Sequence, residues 1–422
     1  MIKGLGKWLI AIVGVGIILY GIVGIAQRQT TAKSQVTSHS SRRQASEKRS
    51  SKTKTKTKTK TKTKTKTKTK TKTKTKTKTK TKTKTKTKTK TKTKTKTKTT
   101  PTETRKQPTI NQDPALDDYF KNLGFSGTVL IVKDQKVILN KGYGLANQTT
   151  QQVNDPNTLY PIGSTEKAMI ATGILQLQEK HRLAVNDPVA KYLPDFPNGQ
   201  QMTLADLMHH TSGIVGRNQD NQTKTSQQLL QEIIANGIQG QPGQWHYLDA
   251  NYIVLTKILE QVSHQSYQTY LKQHIFKPSQ MMTADFMTTK YGQLTAASVG
   301  YEMVNNQLKA GVLPNFSQLY GVGDLYMTAT DLYRFDQALF THHLLTEAST
   351  NLMFKPGSQS HYGMGFYNDP ALIVNRGYLS GWSISNGFSH GGRIYIILCQ
   401  NVKNSSISLG RINGDLYTKL VV

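Results

Sequence analysis

The chain has 422 residues and a formal charge of +32, but nearly all of that charge sits in one stretch. Lysine occupies every even position from Lys52 to Lys98, giving 24 charges, and residues 1–51 add +7, which leaves +1 for residues 100–422. A basic surface spread over the whole chain for nucleic acid is thereby excluded. Cys399 is the single cysteine, which excludes a disulfide framework or a cysteine zinc site within one chain.

Residues 8–27 contain no charged side chain and follow Lys3 and Lys7. As a helix they would span about 30 Å, the thickness of a bilayer core. Two readings compete: an uncleaved single-pass anchor, or a signal segment cut near Gly24-x-Ala26. The apolar run is longer than the ~7–15 residues usual for a signal core, which favours the anchor. The positive charge after the span opposes an outward orientation, but that tendency weakens for long translocated segments. The expectation for residues 1–27 is therefore a membrane anchor or signal, with the rest of the chain extracellular.

Residues 28–111 offer almost nothing apolar to bury. The period-two Lys-Thr tract would place a row of ammonium groups on one strand face, so repulsion predicts an extended, disordered spacer. It serves as a solvated linker or, additionally, as a contact for polyanionic wall polymers. Residues 112–422 read as one globular domain.

That domain opens with an amphipathic helix over Pro114 to Leu123. A hairpin follows, from Gly127–Val132 through Lys133-Asp134-Gln135 to Lys136–Leu139. The segment Gly163-Ser164-Thr165-Glu166-Lys167 precedes a helical apolar pattern, which puts Ser164 at a helix N-terminus and Lys167 one turn on, on the same face. A serine hydroxyl needs a nearby base to become a nucleophile, and a lysine with a pKa lowered by desolvation can supply it. Glu166 projects roughly opposite Ser164 and reads as structural. The glycine pairs Gly142-x-Gly144 and Gly321-x-Gly323 do not complete a nucleotide loop, and the adjacent histidines His209-His210 lack metal-site spacing. No cofactor and no metal are expected.

Three further segments accompany the serine: Leu207-Met208-His209-His210-Thr211-Ser212-Gly213-Ile214, Tyr247-Leu248-Asp249 before a helix, and Gly321-Val322-Gly323-Asp324-Leu325. Together they resemble the serine β-lactamase-like family, in particular the branch of class C β-lactamases, D-alanyl-D-alanine carboxypeptidases and penicillin-binding proteins. The resemblance implies an α+β fold: an antiparallel sheet flanked by the N- and C-terminal helices, the last over Leu409–Leu420, with an inserted helical lobe. It makes Ser164 the acylated nucleophile, Lys167 its partner and Tyr247 the proton-relaying tyrosine. It also places the oxyanion hole at the backbone N–H groups of Ser164 and Tyr378. The third motif falls at Asn375-Arg376-Gly377, ahead of two more strands; His390-Gly391-Gly392 reads instead as a hairpin turn. Asp249, Asn375, Gly377 and Tyr378 are thus the substrate-binding candidates.

Two positions depart from the family pattern: Asp249 stands where asparagine is usual, and Asn375 where a lysine or histidine is. With Arg376 turned to the opposite strand face from Asn375, the pocket is expected to lack the usual cation and to disfavour carboxylate substrates. The implied function is an extracytoplasmic serine hydrolase acting through an acyl-enzyme on cell-wall peptides or D-alanyl esters such as those of teichoic acids. β-Lactams are implied as acylating ligands. The alternatives are a catalytically weak wall-binding module and a β-lactamase.

Overall fold

The computed structural model describes residues 112–287, 290–404 and 406–421. The expected anchor at 1–27 and spacer at 28–111 lie outside the described residues. Among the described residues no helix is long and apolar enough to cross a membrane.

The first element, α1 (Pro114–Asn122), starts where Asp113 caps it by accepting from the Ala115 and Leu116 amides. It leads into β1 (Gly127–Lys133) and β2 (Lys136–Tyr143), joined by a two-residue turn with Asp134 and Gln135 at φ 50° and 63°. Positive φ at both positions is the primed turn that matches strand twist. These strands belong to a six-stranded sheet with β3 (Tyr367–Asn368), β4 (Leu372–Leu379), β5 (Trp382–Ser389) and β6 (Ile394–Gln400), in the order β3-β4-β5-β6-β1-β2. Every neighbouring pair is antiparallel.

Central strands β1 and β6 are buried along nearly their whole length, because both sheet faces are covered. Val129 and Ile131 point to a core shared with α1 and the C-terminal helix Leu409–Val421, through Leu116, Phe120, Ile412 and Leu416. Leu130 and Val132 point to the opposite core, which holds the inserted helices. The alternation of strand side chains thus sorts one continuous apolar run into two cores. Cys399, also on β6, is fully buried in the second.

The insertion carries α2 (Glu166–Glu179), α3 (Leu204–Met208), α4 (Ser226–Asn236), α5 (Asp249–Ser263) and α6 (Tyr267–Leu271). Capping boxes start α3 at Thr203/Asp206 and α4 at Thr225/Gln228. Beyond the glycine turn at 321–323, a short strand, Leu325–Met327, precedes α7 (Ala329–Phe340). The architecture is the α+β arrangement expected from the sequence.

Candidate active site

Ser164 stands where a strand becomes a helix. Tyr160–Pro161 pairs with Leu325–Met327, the Ile162 amide donates to Leu325 O at 3.0 Å, and one 3₁₀ turn (Gly163–Thr165) feeds α2. Gly163 has φ +51°, and a Cβ there would lie 2.7 Å from Tyr378 O and 2.9 Å from Tyr378 N. Glycine is what lets the serine turn rest on the β4 backbone. Helix α2 is buried from Glu166 to Leu177, so Lys167 enters the core with no exposed surface.

The ammonium of Lys167 has three protons and three acceptors: Asp249 Oδ1 at 2.7 Å, Ser164 Oγ at 2.8 Å and Val322 O at 3.3 Å. The Tyr247 phenol is a further partner, and this ring of acceptors suits a charged lysine. Burial works against that charge, but Asp249 and the Tyr247 phenol outweigh it and hold the lysine above its ordinary range. Desolvation therefore does not make Lys167 the neutral base that its spacing from Ser164 suggests. The reason is Asp249, whose side chain is half-exposed at the first turn of α5, where a helix favours a negative charge.

Tyr247 precedes α5 and is braced by His210, whose ring lies 4.2 Å from the tyrosine ring. His210 Nδ1 faces the Asn251 side-chain amide at 3.0 Å and accepts from the Leu248 amide at 3.3 Å, so its proton resides on Nε2. Burial, followed by the Lys167 charge, pushes its pKa well below the usual value and keeps it neutral. The Lys167 ammonium lies 5.1 Å above the Tyr247 ring.

Ser164 opens into a cavity of about 210 Å³, lined also by Tyr247, Tyr362, Tyr367, Arg376, Gly377 and Tyr378. Gly377 faces the serine turn, and a Cβ there would meet Ile162 O at 1.8 Å. Asn375 does not line the cavity: it is buried and donates to Thr165 O at 3.3 Å. Arg376 does line it, 2.7 Å from Asp369 and with its guanidinium 5.0 Å over Tyr367. The two residues face opposite ways, as strand alternation requires, but it is the arginine side that looks into the cavity. The expected absence of a cation is therefore corrected: Arg376 supplies one. Trp382 packs in the core and donates to Ser298 Oγ, and Trp245 is outside the cavity lining. Tyr362, Tyr367 and Val322 O gave no sequence signal beyond glycine-rich loops.

The segments that resemble a known family thus converge on one serine, one buried lysine and one tyrosine. The β-lactamase family model matches residues 116–402. The chain belongs to the β-lactamase family. Within that family it is similar to the penicillin-binding-protein-like PbpX of Bacillus subtilis (strain 168), at 44% identity over 74% of this chain and 79% of that protein. It is 32% identical to the teichoic acid D-alanine hydrolase of Staphylococcus aureus (strain MRSA252), over 71% of this chain and 77% of that one. Among solved structures, FmtA from Staphylococcus aureus superposes with a TM-score of 0.66 at 29% identity, covering 73% of this chain and 86% of that one. As a β-lactamase-family protein the chain is a serine hydrolase, and the Ser164–Lys167–Tyr247 cluster is where such chemistry can occur.

Proposed function

We propose that the protein is an extracytoplasmic, membrane-tethered esterase that removes D-alanyl groups from teichoic acids through an acyl-enzyme on Ser164. The observation that carries this reading is the three-acceptor bonding of Lys167, with Asp249 as an acidic partner beside the nucleophile. Support for the substrate comes from the similarity to a teichoic acid D-alanine hydrolase. The small cavity suits a small acyl group.

The charged resting lysine dictates the order of proton moves. Lys167 passes a proton to Asp249 and accepts the one leaving Ser164 Oγ as that oxygen forms a bond to the ester carbonyl carbon. The Ser164 and Tyr378 amides receive the developing oxyanion. The C–O bond to the polymer breaks, and the departing alkoxide takes a proton from Lys167 or through Tyr247. Water then attacks the acyl-serine by the same route in reverse, releasing D-alanine and restoring the Ser164 hydroxyl. In this reading the apolar segment 8–27 anchors the chain, and the Lys-Thr tract extends the enzyme into the polyanionic wall.

Incubating the full chain with D-alanylated teichoic acid and, separately, with a D-Ala-D-Ala peptide tests the proposal through released D-alanine. Release is expected to be faster from the polymer than from the peptide, and absent with Ser164→Ala. Preference for the peptide makes the protein a carboxypeptidase and overturns the ester reading. Covalent labelling of Ser164 by a fluorescent β-lactam is expected as well, and is lost in Ser164→Ala.

A further inference from the structure

Behind Lys167 lies a second acidic site that the acyl transfer described above does not use. Glu166 has no exposed surface and Asp324 is buried beside it. The Asp324 amide donates to Glu166 Oε2 at 2.8 Å, and the Tyr267 hydroxyl donates to Asp324 Oδ2. The two remaining oxygens, Glu166 Oε1 and Asp324 Oδ1, have no N–H or O–H donor. The Asp324 amide contact holds the two buried carboxyls at one spot, each with an unpartnered oxygen. Two carboxylates repel and have nothing to donate, so one proton held between them accounts for both orphan oxygens. The Lys167 charge eases the burial of Glu166, but its ammonium donates to Asp249, Ser164 and Val322 rather than to either carboxyl.

We infer that Glu166 and Asp324 form a proton-sharing carboxyl pair that fixes the 321–324 turn behind Lys167, acting as positioning residues for the serine–lysine couple. The turn is gripped at two points. Glu166 holds the Asp324 amide, while Lys167 donates to Val322 O. Gly321, at φ +69°, allows the turn to sit against Thr256, where a Cβ would meet Oγ1 at 2.0 Å. Since Glu166 and Lys167 are adjacent on α2, the pair sets where the Val322 carbonyl meets the ammonium. The charged and titratable groups around the pair are Lys167 on α2, Tyr267 on α6, and Tyr320 before the turn. Burial raises Glu166 well above the carboxylate range, with the Asp324 charge adding to it, and burial pushes Asp324 up to about 6. Both directions favour one retained proton at neutral pH.

The inference rests on Ser164 being the nucleophile, but not on which ester it attacks. A glutamine at position 166 can accept the Asp324 amide proton and donate to Asp324 Oδ1, as a protonated glutamate does; an alanine can do neither. In the full chain, Glu166→Gln is expected to keep the rate of Ser164 acylation by a fluorescent β-lactam within about threefold, whereas Glu166→Ala slows it about 30-fold. Infrared difference spectra of wild type minus Glu166→Gln at neutral pH should show the C=O stretch of a protonated carboxylic acid. Buried Asp336, whose pKa is also raised, cancels in that difference. The band must persist in Ser164→Ala, so it is read even if the nucleophile is misassigned. Absence of the band, or Glu166→Gln as slow as Glu166→Ala, overturns the inference. If Glu166→Ala does not fold, the infrared result decides.

Discussion

Replacing Asp249 by asparagine separates a proton acceptor from a simple clamp. At 2.7 Å the Lys167–Asp249 attraction runs from about 1.5 kcal/mol in a water-like dielectric to about 6 kcal/mol at an effective dielectric of 20. The carboxylate is half-exposed, so screening places the pair near the lower limit, at about 2 kcal/mol. Asparagine keeps a neutral acceptor for the lysine, and Asp249→Asn should therefore lower the melting temperature by only about 2–5 °C. The effect on chemistry is larger. An asparagine cannot take the proton that Lys167 must release, and without the carboxylate burial lowers the lysine's pKa, so acylation comes to depend on how much of Lys167 has lost its proton to solvent. Lys167 must then release its proton to water, which becomes easier as hydroxide rises. The variant's rate should therefore climb with pH between 6 and 9. Over that range the wild type stays nearly flat, because its lysine remains charged throughout. Stopped-flow acylation by a fluorescent β-lactam or an activated D-alanyl ester measures both profiles. A variant with wild-type rate and a flat profile would refute the assignment of Asp249 as the acceptor.

Gly163→Ala puts a Cβ 2.7 Å from Tyr378 O in a left-handed backbone, which should cost about 2–4 kcal/mol and push the serine turn off β4. Thermal melts and acylation rates should fall together, and an unchanged acylation rate would show that this contact does not shape the site. At the far face of the sheet, the side chains of Lys121 and then Lys141 hold Asp117 at about 2, below its ordinary 3.8. The unfolded chain therefore binds that proton more tightly, so the contribution is present above pH 3.8 and disappears as pH falls through 2. Melts of Asp117→Asn should lie below wild type at pH 6 and converge with it near pH 2; a constant offset would contradict the pairing.

The sequence itself determined whatever rests on short spacing. Ser164 and Lys167 lie one turn apart, so any helix through them brings hydroxyl and ammonium together, and the 2.8 Å contact follows. The hairpin at 127–143 is equally local, set by two turn residues between apolar runs. The family resemblance implied one antiparallel sheet but not its strand order, since strands separated by more than 200 residues leave no mark of their pairing in local pattern. What tertiary structure alone decided is electrostatic. The charge state of Lys167 depends on Asp249 from α5 and on a carbonyl from the 321–324 turn, partners no local pattern joins to it. Glu166 meets Asp324 across 158 residues. Asn375 and Arg376 illustrate the same limit on one strand. Alternation fixes that they face apart, but only the packing of β4 against the serine turn fixes which of them looks into the cavity. A side chain's type and period are written in the chain; its dielectric surroundings and its partners exist only once distant segments have packed.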